Sequence, residues 1–379
     1  MRASERTVAV YRSWLLARSE TFIRNDALQL RRYSPLFVGE ERVEGGLPLP
    51  EDAVVLGTPR GRYRRALLRR VPGYQVRRLA RACREREVAL VHAHFGADSL
   101  LALDLARRLG VPFVVTYNGF DATLYDDALN AGPHARYVRR RAEMFSEAAA
   151  IIGISAFIGR ELVRQGAPEG KVRIHHSGVP LGPPPAEQPR EPVVLFVGRF
   201  VEKKGFGDLL EAMARVRAAV PAVRLVVVGD GAPRREYESA ARELGLDATF
   251  AGWLPPDEVA LRFREARVLC VPSRRAANGD AEGLPTVLPE AGAQGLPVVG
   301  TRHSGIPEGV GEEARARLVD EGDIDGLARE LIAVLTDDEL QRRLSAEARA
   351  HVERDFDPAR QAEELEQIYD EVLGRATSR

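Results

Sequence analysis

A basic loop in the second half of the 379-residue chain has the residue types that bind a diphosphate. A strand-like run, Val193–Val197, leads into Gly198-Arg199-Phe200-Val201-Glu202-Lys203-Lys204-Gly205, and a helix is predicted from about Phe206. An arginine fork and a lysine point charge at the end of one strand could hold two phosphates and stabilise the charge of a leaving group. Basic loop residues are often simply solvated, so this motif alone leaves both interpretations open.

Two glutamates with seven residues between them lie further along, in the run Glu282-Gly283-Leu284-Pro285-Thr286-Val287-Leu288-Pro289-Glu290. The proline and threonine at 285 and 286 predict a helix start, which leaves Glu282 in a loop and Glu290 about one turn inside the helix. Free backbone amides and the helix dipole at this point offer an anion site. Carboxylates would repel an anion unless they bind another part of the same ligand. Ribose and hexose hydroxyls are the obvious donors of hydrogen bonds to them. The alternative is a loop charge and a surface residue that the helix dipole favours.

The elements that must position these residues alternate along the whole chain. Short Val/Ile/Leu-rich runs separated by helical patterns are typical of βαβ units, which build parallel sheets. The predicted strands are Thr7–Tyr11, Pro35–Val38, Leu90–His94, Phe113–Tyr117, Ala150–Ile154, Val172–His176, Val193–Val197, Leu225–Val228, Ala248–Ala251, Val268–Val271 and Val298–Gly300. Helices are predicted at Asp98–Leu109, 323–353 and 359–374.

A proline-rich run from Gly178 to Pro192 can form neither a helix nor a central strand, and it predicts an interdomain linker. The sequence therefore predicts an α/β protein with two Rossmann-like, doubly wound domains. We assign residues 1–178 to an N-terminal domain, 179–192 to the linker, 193–357 to a C-terminal domain and 358–379 to a C-terminal helix. Two such domains facing each other leave a cleft at the carboxyl ends of their strands.

Composition favours a globular cytoplasmic protein. Hydrophobic residues make up 45% and charged residues 29%, and no apolar run is long enough to span a bilayer. The first strand follows the N-terminus too closely for a signal peptide. Cys83 and Cys270 are read as ordinary reduced residues, and no cluster has metal-ligand spacing, so neither a metal nor another cofactor is predicted.

The charge is unevenly distributed. Residues 1–180 contain 29 Lys and Arg against 19 Asp and Glu, whereas residues 181–379 contain 26 against 36. Arg60 to Arg84 alone has ten arginines, no acid and interleaved apolar residues. Such a face could contact an anionic membrane surface, so the protein could be membrane-peripheral, or it could recognise an acidic acceptor or be merely solvated. Nucleic-acid binding is not expected, because no aromatic platform accompanies the charges.

Four motifs in the second half occur together in the order typical of one family. They are Gly198-Arg199 with Glu202-Lys203-Lys204-Gly205, Val228-Gly229-Asp230-Gly231, the Glu282 to Glu290 run, and Ser304-Gly305-Ile306-Pro307-Glu308. Over roughly residues 190–310 the chain resembles the family-4 retaining glycosyltransferases, which have the GT-B fold. The resemblance implies that Arg199 and Lys204 hold the donor phosphates, Glu290 the ribose and Glu282 the transferred sugar.

The resemblance thereby implies a catalytic set of Arg199, Lys204 and Glu282. It also implies that residues 1–178 bind the acceptor, that residues 193–357 bind the donor, and that the helix at 358–379 returns to the N-terminal domain. The donor-binding residues that it implies are Arg199, Lys204, Gly231, Leu254, Glu282, Gly283, Leu284, Pro285, Thr286 and Glu290.

The N-terminal half resembles the colanic-acid and exopolysaccharide branch of the same family. The motifs are Ser19-Glu20-Thr21-Phe22, His92-Ala93-His94-Phe95-Gly96 and Thr116-Tyr117-Asn118-Gly119-Phe120-Asp121. On the acceptor or sugar side they give the candidates Glu20, Thr21, His94, Asn118 and Asp121. Asn118 stands where the family usually has histidine, and a carboxamide can hydrogen-bond a hydroxyl but cannot act as a base.

The predicted activity is transfer of a sugar from a UDP- or GDP-linked donor to a glycan, lipid-linked or natural-product acceptor. Retention at the anomeric carbon is implied by the resemblance. One alternative is a nucleotide-sugar epimerase of the same architecture, which would form product without an acceptor. Another is a sugar-nucleotide-binding subunit that has lost activity, which the asparagine at position 118 would suggest.

Overall fold

A computed structural model describes residues 6–57, 73–183 and 190–377 of the chain. The chain divides into two compact units, which we describe separately. The first comprises Met1–Gly178 together with Pro358–Arg379, and the second comprises Val179–Asp357. Each unit contains one parallel sheet with helices.

Strands of the described residues are numbered along the chain. They are β1 (Arg6–Tyr11), β2 (Trp14–Leu15), β3 (Tyr33–Arg42), β4 (Val54–Gly57), β5 (Val88–His94), β6 (Phe113–Tyr117), β7 (Ala150–Gly153), β8 (Val172–Ile174), β9 (Val193–Val197), β10 (Arg224–Val228), β11 (Ala248–Gly252), β12 (Val268–Val271) and β13 (Val298–Gly300).

Helices are numbered in the same way. They are α1 (Thr21–Gln29), α2 (Tyr74–Arg84), α3 (Leu100–Leu109), α4 (Phe120–Thr123), α5 (Asp126–Ala131), α6 (Ala135–Glu147), α7 (Ala156–Arg164), α8 (Phe206–Ala219), α9 (Arg234–Glu243), α10 (Pro256–Glu265), α11 (Val287–Ala293), α12 (Glu312–Ala316), α13 (Ile324–Thr336), α14 (Asp338–Asp355) and α15 (Pro358–Thr377).

The first sheet places β1 between β3 and β5, and β6, β7 and β8 follow in order beyond β5. All of its described strand pairs are parallel, including those of β2 and β4 with β3. The strand that follows β2 in sequence, β3, lies on one side of β1, and the later strands β5 to β8 lie on the other side, so the strand order reverses at β1. That reversal, between β1 and β5, is where open α/β sheets characteristically bind ligands.

The central strands of the first sheet are buried almost continuously, because helices cover both of its faces. In β1, Ala9 and Tyr11 belong to one hydrophobic cluster, whereas Val8 and Val10 belong to another. The second cluster also contains the buried face of α15, which packs against α1. The last helix of the chain therefore belongs to the first unit.

The second sheet has the order β11-β10-β9-β12-β13, again with parallel pairs. Its strands are short apolar runs, and their residues form a single hydrophobic cluster with α8 and α13. Strands β10 and β11 lie on one side of β9, and β12 and β13 lie on the other, so the strand order reverses between β9 and β12. The loops that follow these two strands contain both of the charged motifs identified from the sequence.

The predicted class, two doubly wound α/β units, is confirmed, with some differences at element level. The helix expected at 323–353 is two helices, because Asp337 ends α13 and its side chain caps the first amides of α14. Both β2 and β4 were missed because they are short and each pairs only with β3. Residues 179–183 and 190–192 of the predicted linker form neither helix nor strand, and 184–189 lie outside the described residues.

The basic stretch from Arg60 to Arg84 falls mostly outside the described residues, and only its end, α2, is described. In α2 the apolar side chains Val76 and Leu79 are buried, and Leu79 belongs to a hydrophobic cluster of the first unit. No helix in the described ranges is long and apolar enough to cross a membrane.

Candidate active site

The basic loop after β9 lies against the end of β12. Its lysines form a short 3-10 turn, Glu202–Lys204, which ends at Gly205 with a positive φ of 61°. A Cβ at Gly205 would lie 1.9 Å from the carbonyl oxygen of Pro272, the residue after β12. Only glycine permits this approach, which brings the loops that follow β9 and β12 together at the reversal point.

Lys204 and Glu282 form an ion pair at this point. Lys204 Nζ lies 2.9 Å from Glu282 Oε1, and both side chains are largely buried. Burial alone would raise the pKa of the Glu282 carboxyl, but the charges of Lys204 and Lys203 outweigh it and hold that pKa below its usual range. A buried, ionised carboxylate is thus paired with a cation at the sheet edge.

The adjacent Lys203 has a different role, which the sequence did not reveal. It is buried, and its Nζ donates to Asp280 Oδ1 (2.9 Å) and to the carbonyl oxygen of Ala281 (3.2 Å). Lys203 therefore ties the basic loop to the segment just before Glu282. The only sequence signal for this anchor was the presence of two adjacent lysines in the loop.

Arg199 is exposed and makes no side-chain hydrogen bond or ion pair with any described residue. Nearby, a Cβ at Gly231 would lie 2.8 Å from Phe200, so the backbone after β10 packs closely on the basic loop. The N–H of Gly231 donates to the side chain of Asp230 at 2.8 Å. Leu254, in the loop after β11, packs half-buried on the core of the unit.

Glu290 lies in the first turn of α11, as predicted, although the helix begins at Val287 with Thr286 as its N-cap residue. Burial raises the pKa of the Glu290 carboxyl to about 7, while a hydrogen bond with Thr286 and the charge of Lys204 oppose that rise. The run Gly283 to Pro285 that joins the two glutamates is buried. The charge of Lys204 thus acts to lower the pKa of both carboxyls, Glu282 and Glu290.

Two buried polar residues in the loops after β12 and β13 were not expected from the sequence. The Ser273 hydroxyl, after β12, is fully buried and has no hydrogen-bond partner among the described residues. His303, in the loop after β13, accepts the backbone N–H of Glu282 at Nε2 with an N···N distance of 3.3 Å. Its position just before the Ser304 to Glu308 motif was the one available signal.

The corresponding edge of the first sheet holds an arginine between two acids. Arg12 follows β1 and contacts Glu20 Oε1 (2.9 Å) and Asp98 Oδ2 (2.6 Å), and its guanidinium lies 4.3 Å from the ring centroid of Phe95. Glu20 accepts the backbone N–H of Ala17 with its other oxygen. The predicted acceptor-side residue Glu20 therefore has both oxygens bonded within its own unit, and Thr21 beside it begins α1.

Asp121 is also bonded within its unit. Its buried carboxylate accepts backbone N–H groups from Gly96, Asn118 and Gly119 at 2.8–3.0 Å. Burial raises the pKa of Asp121 to about 6, although these amides oppose the rise. Asp121 thus holds the loops that present two other predicted residues, His94 and Asn118.

His94 and Asn118 each retain a polar side-chain atom that has no hydrogen-bond partner in the described part of the chain. These two atoms, His94 Nδ1 and Asn118 Oδ1, are buried. Burial, together with the nearby charge of Arg12, lowers the pKa of His94 to about 3, so its ring is neutral at physiological pH. The neighbouring His92, in contrast, is a core residue bonded to Tyr369 and Thr116 at 2.7 Å each.

Comparison with known families covers most of the chain. Residues 183–351 match the family described as glycosyl transferases group 1, and residues 34–182 match glycosyltransferase family 4. A candidate colanic acid biosynthesis glycosyltransferase of Escherichia coli K12, WcaL, is 32% identical over 275 residues, which is 70% of this chain and 66% of that protein. The amylovoran biosynthesis glycosyltransferase AmsK of Erwinia amylovora is 29% identical, over 69% and 65%. The chain therefore spans just under two thirds of the length of these relatives.

Solved structures share the fold along nearly the whole chain. A sucrose-phosphate synthase from Thermosynechococcus elongatus superposes with a TM-score of 0.76 at 21% identity, covering 98% of this chain and 100% of that one. HepE of Anabaena, in complex with UDP and glucose, superposes with a TM-score of 0.72 at 16% identity, covering 96% and 99%. At these identities the similarity concerns the fold alone, and it confirms the predicted GT-B fold.

Proposed function

The chain belongs to the group 1 and family 4 glycosyltransferases, and on that premise we propose that it transfers a sugar from a UDP- or GDP-linked donor to an acceptor hydroxyl. We propose further that the reaction retains the configuration at the anomeric carbon and needs no metal ion.

The observation that carries this proposal is the charge arrangement at the edge of the second sheet. Arg199 is a cation without a partner among the described residues, and Lys204 is a cation held by the buried Glu282. A lysine ammonium has three donors, so Lys204 can keep its contact with Glu282 while it binds a phosphate oxygen. The Lys204–Glu282 pair thereby places a phosphate-binding cation next to a carboxylate that can accept hydrogen bonds from sugar hydroxyls.

In the proposed reaction, the bond between the anomeric carbon and the leaving phosphate oxygen breaks. An acceptor hydroxyl oxygen bonds to the same face of that carbon, and its proton passes to the leaving phosphate oxygen. No side-chain base is required. Arg199 and Lys204 stabilise the negative charge that develops on the diphosphate, which is the largest contribution we assign to the protein.

The other donor contacts follow from the same arrangement. Glu282 accepts hydrogen bonds from hydroxyls of the transferred sugar. Glu290, once its carboxyl is ionised, accepts hydrogen bonds from the ribose hydroxyls. The backbone from Gly283 to Thr286 lies between the two carboxyls and adjoins the phosphates and the sugar. Leu254 and Gly231 border the nucleoside. HepE of Anabaena has been solved in complex with UDP-glucose, and a relative from Corynebacterium glutamicum is named as a GDP-mannose-dependent mannosyltransferase, which supports a UDP- or GDP-linked donor.

For the acceptor we propose a hydroxyl-bearing glycan or lipid-linked sugar bound by the first unit. His94 Nδ1 and Asn118 Oδ1, which have no partner among the described residues, can each hydrogen-bond a hydroxyl group, because a hydroxyl both donates and accepts. The names of WcaL and AmsK refer to colanic acid and amylovoran biosynthesis, which supports exopolysaccharide assembly as the pathway class.

The test is a transfer assay with UDP- and GDP-sugars, with and without a lipid-linked or glycan acceptor, that measures nucleoside diphosphate release. Product configuration is read by NMR. Arg199→Ala should lower the rate by about 10²-fold or more. Arg342→Ala, at an exposed arginine of the same unit on α14, is the matched control and should be close to wild type. A product that forms without any acceptor would instead support the epimerase.

A further inference from the structure

We propose that His303 is a positioning residue, which holds the Glu282 segment in its donor-binding arrangement by accepting the Glu282 backbone N–H. This inference rests on the proposed function, since it concerns how the donor carboxylate is held. No comparison assigns a role to this histidine.

The hydrogen bonds around His303 fix which of its ring nitrogens is the acceptor. Nε2 lies 3.3 Å from the backbone N of Glu282, and Nδ1 lies 2.6 Å from Glu321 Oε1. The backbone N–H can only donate and an ionised carboxylate can only accept, so the neutral ring carries its proton on Nδ1. The Ser304 hydroxyl, 2.8 Å from Nε2, can donate to the same nitrogen.

Glu321 fixes this tautomer from a third loop. Besides His303, its carboxylate accepts the backbone N–H of Arg275 at 2.8 Å. The residue precedes α13, whereas Arg275 follows β12 and His303 follows β13. One carboxylate therefore connects the loops around the end of the second sheet, and its own side chain remains partly exposed.

The Glu282 segment is thus held from two sides. Lys203 anchors Asp280 and Ala281 on one side, and His303 accepts the N–H of Glu282 on the other. Both His303 and the Glu282 side chain are buried, so water does not readily replace a lost acceptor. The position of the Glu282 carboxylate relative to Lys204 therefore depends on the neutral imidazole.

Protonation of His303 would reverse this interaction. An imidazolium carries a proton on Nε2 as well, so two N–H donors would face each other. The charged groups around the ring are Glu321 and Glu282, which favour the imidazolium, and Arg275, which opposes it, with Lys203 and Lys204 beyond Glu282. Burial prevails and lowers the pKa of His303. The contact is therefore present at neutral pH and is lost under acidic conditions.

Substitutions at position 303 separate an acceptor role from mere filling of space. A glutamine side chain can place a carbonyl oxygen near the Glu282 N–H and does not titrate, whereas a leucine occupies similar space without an acceptor. We expect His303→Leu to lower kcat/KM by about 10- to 100-fold, the effect of one unsatisfied buried donor. His303→Gln should recover most of that loss.

The pH profile provides the readout that a structural role alone would not change. Glu290 titrates in both proteins, so only the difference between wild type and His303→Gln reports on His303. We expect an acid loss of kcat/KM in wild type that is reduced in His303→Gln. Profiles of the two proteins that superimpose, or equal losses in His303→Gln and His303→Leu, would overturn the proposal.

A second variant keeps the test decisive if His303→Leu does not fold. Glu321→Ala leaves the imidazole in place but removes the acceptor at Nδ1, so part of the population would carry its proton on Nε2. A several-fold loss of kcat/KM is expected, and the acid step should move to lower pH because the imidazolium has lost a carboxylate partner. An acid step at higher pH, or none of these changes, would contradict the inference.

Hydrogen exchange separates this inference from the proposed function. In peptides that cover residues 278–290, we expect faster exchange in His303→Leu than in wild type, and near wild-type exchange in His303→Gln. If this exchange pattern is found but the wild-type protein binds no nucleotide, the proposed function is refuted and the positioning role of His303 stands. A wild-type protein that binds nucleotide, with no exchange difference among the variants, would refute the positioning role alone.

Discussion

The carboxyl edges of the two sheets carry similar residue types but use them differently. At the first sheet, Arg12 is bonded to Glu20 and Asp98, and Asp121 accepts three backbone amides. At the second sheet, Arg199 has no partner among the described residues, and Lys204 contacts a single carboxylate. The arginine at the first edge is therefore already paired with acids, whereas the second edge keeps a cation that can bind a further anion.

This difference predicts which kind of ligand each edge favours. A cation that already contacts two carboxylates offers little attraction to a phosphate, because the local charge is negative. The groups without a partner at the first edge, His94 Nδ1 and Asn118 Oδ1, are neutral and can hydrogen-bond hydroxyl groups. We therefore expect the diphosphate at the second edge and neutral hydroxyl groups at the first, although residues 1–180 carry the excess of positive charge.

The largest effect that would sharpen this contrast concerns Lys204. We expect Lys204→Ala to lower the transfer rate by about 10²- to 10³-fold, because a cation beside the leaving diphosphate is lost. Lys171→Ala in the first unit, where the ammonium contacts backbone carbonyls, is the control and should change the rate less than about twofold. A Lys204→Ala protein within threefold of wild type would break the contrast.

A substitution at the first edge should instead affect stability. Asp121→Ala removes the acceptor of three amides, and we expect the free energy of unfolding of the first unit to fall by about 2–4 kcal/mol. Calorimetry measures this change, and Asp127→Ala, at an exposed carboxylate of α5, serves as the control. Nucleotide affinity should stay within about twofold of wild type. A large loss of affinity without a loss of stability would contradict our assignment of Asp121.

A smaller effect is expected from the pH dependence of Glu290. The folded protein raises the pKa of this carboxyl from 4.5 to about 7, so it retains a proton that the unfolded chain has released. Stability should therefore fall as pH rises through that interval, by about 1–3 kcal/mol relative to Glu290→Gln. Unfolding of both proteins between pH 4.5 and 8 measures the difference. Parallel stability curves would show that Glu290 is not held in this way.

Much of the second edge could be predicted from sequence because its chemistry lies in contiguous motifs. The strand before Arg199 and the helix around Glu290 are short, strongly patterned elements, and they were placed within one or two residues. The contacts that organise the site were not predictable. Lys203 with Asp280, and His303 with Glu321, join residues that are remote in sequence, so no local pattern reveals them.

At the first edge the sequence identified the residues but not their use. Glu20 and Asp121 are carboxylates, the residue type that often binds ligands. Their bonds to Arg12 and to backbone amides, which the sequence does not show, make them structural instead. The glycines and loops that supply those amides converge only in the folded sheet. A motif can therefore specify that a carboxylate is present while tertiary contacts decide whether it remains available.

The most direct test of a donor site at the second edge is nucleotide binding by the wild-type protein and by Arg199→Ala. Thermal shift with UDP, GDP, ADP and TDP, each with and without EDTA, gives both the nucleotide and the metal dependence. We expect UDP or GDP to raise the Tm of wild type with and without EDTA, and the shift to vanish in Arg199→Ala while the Tm of that variant without nucleotide stays unchanged. An equal shift in both proteins, or no shift with any nucleotide, would contradict the assignment of the diphosphate to this edge.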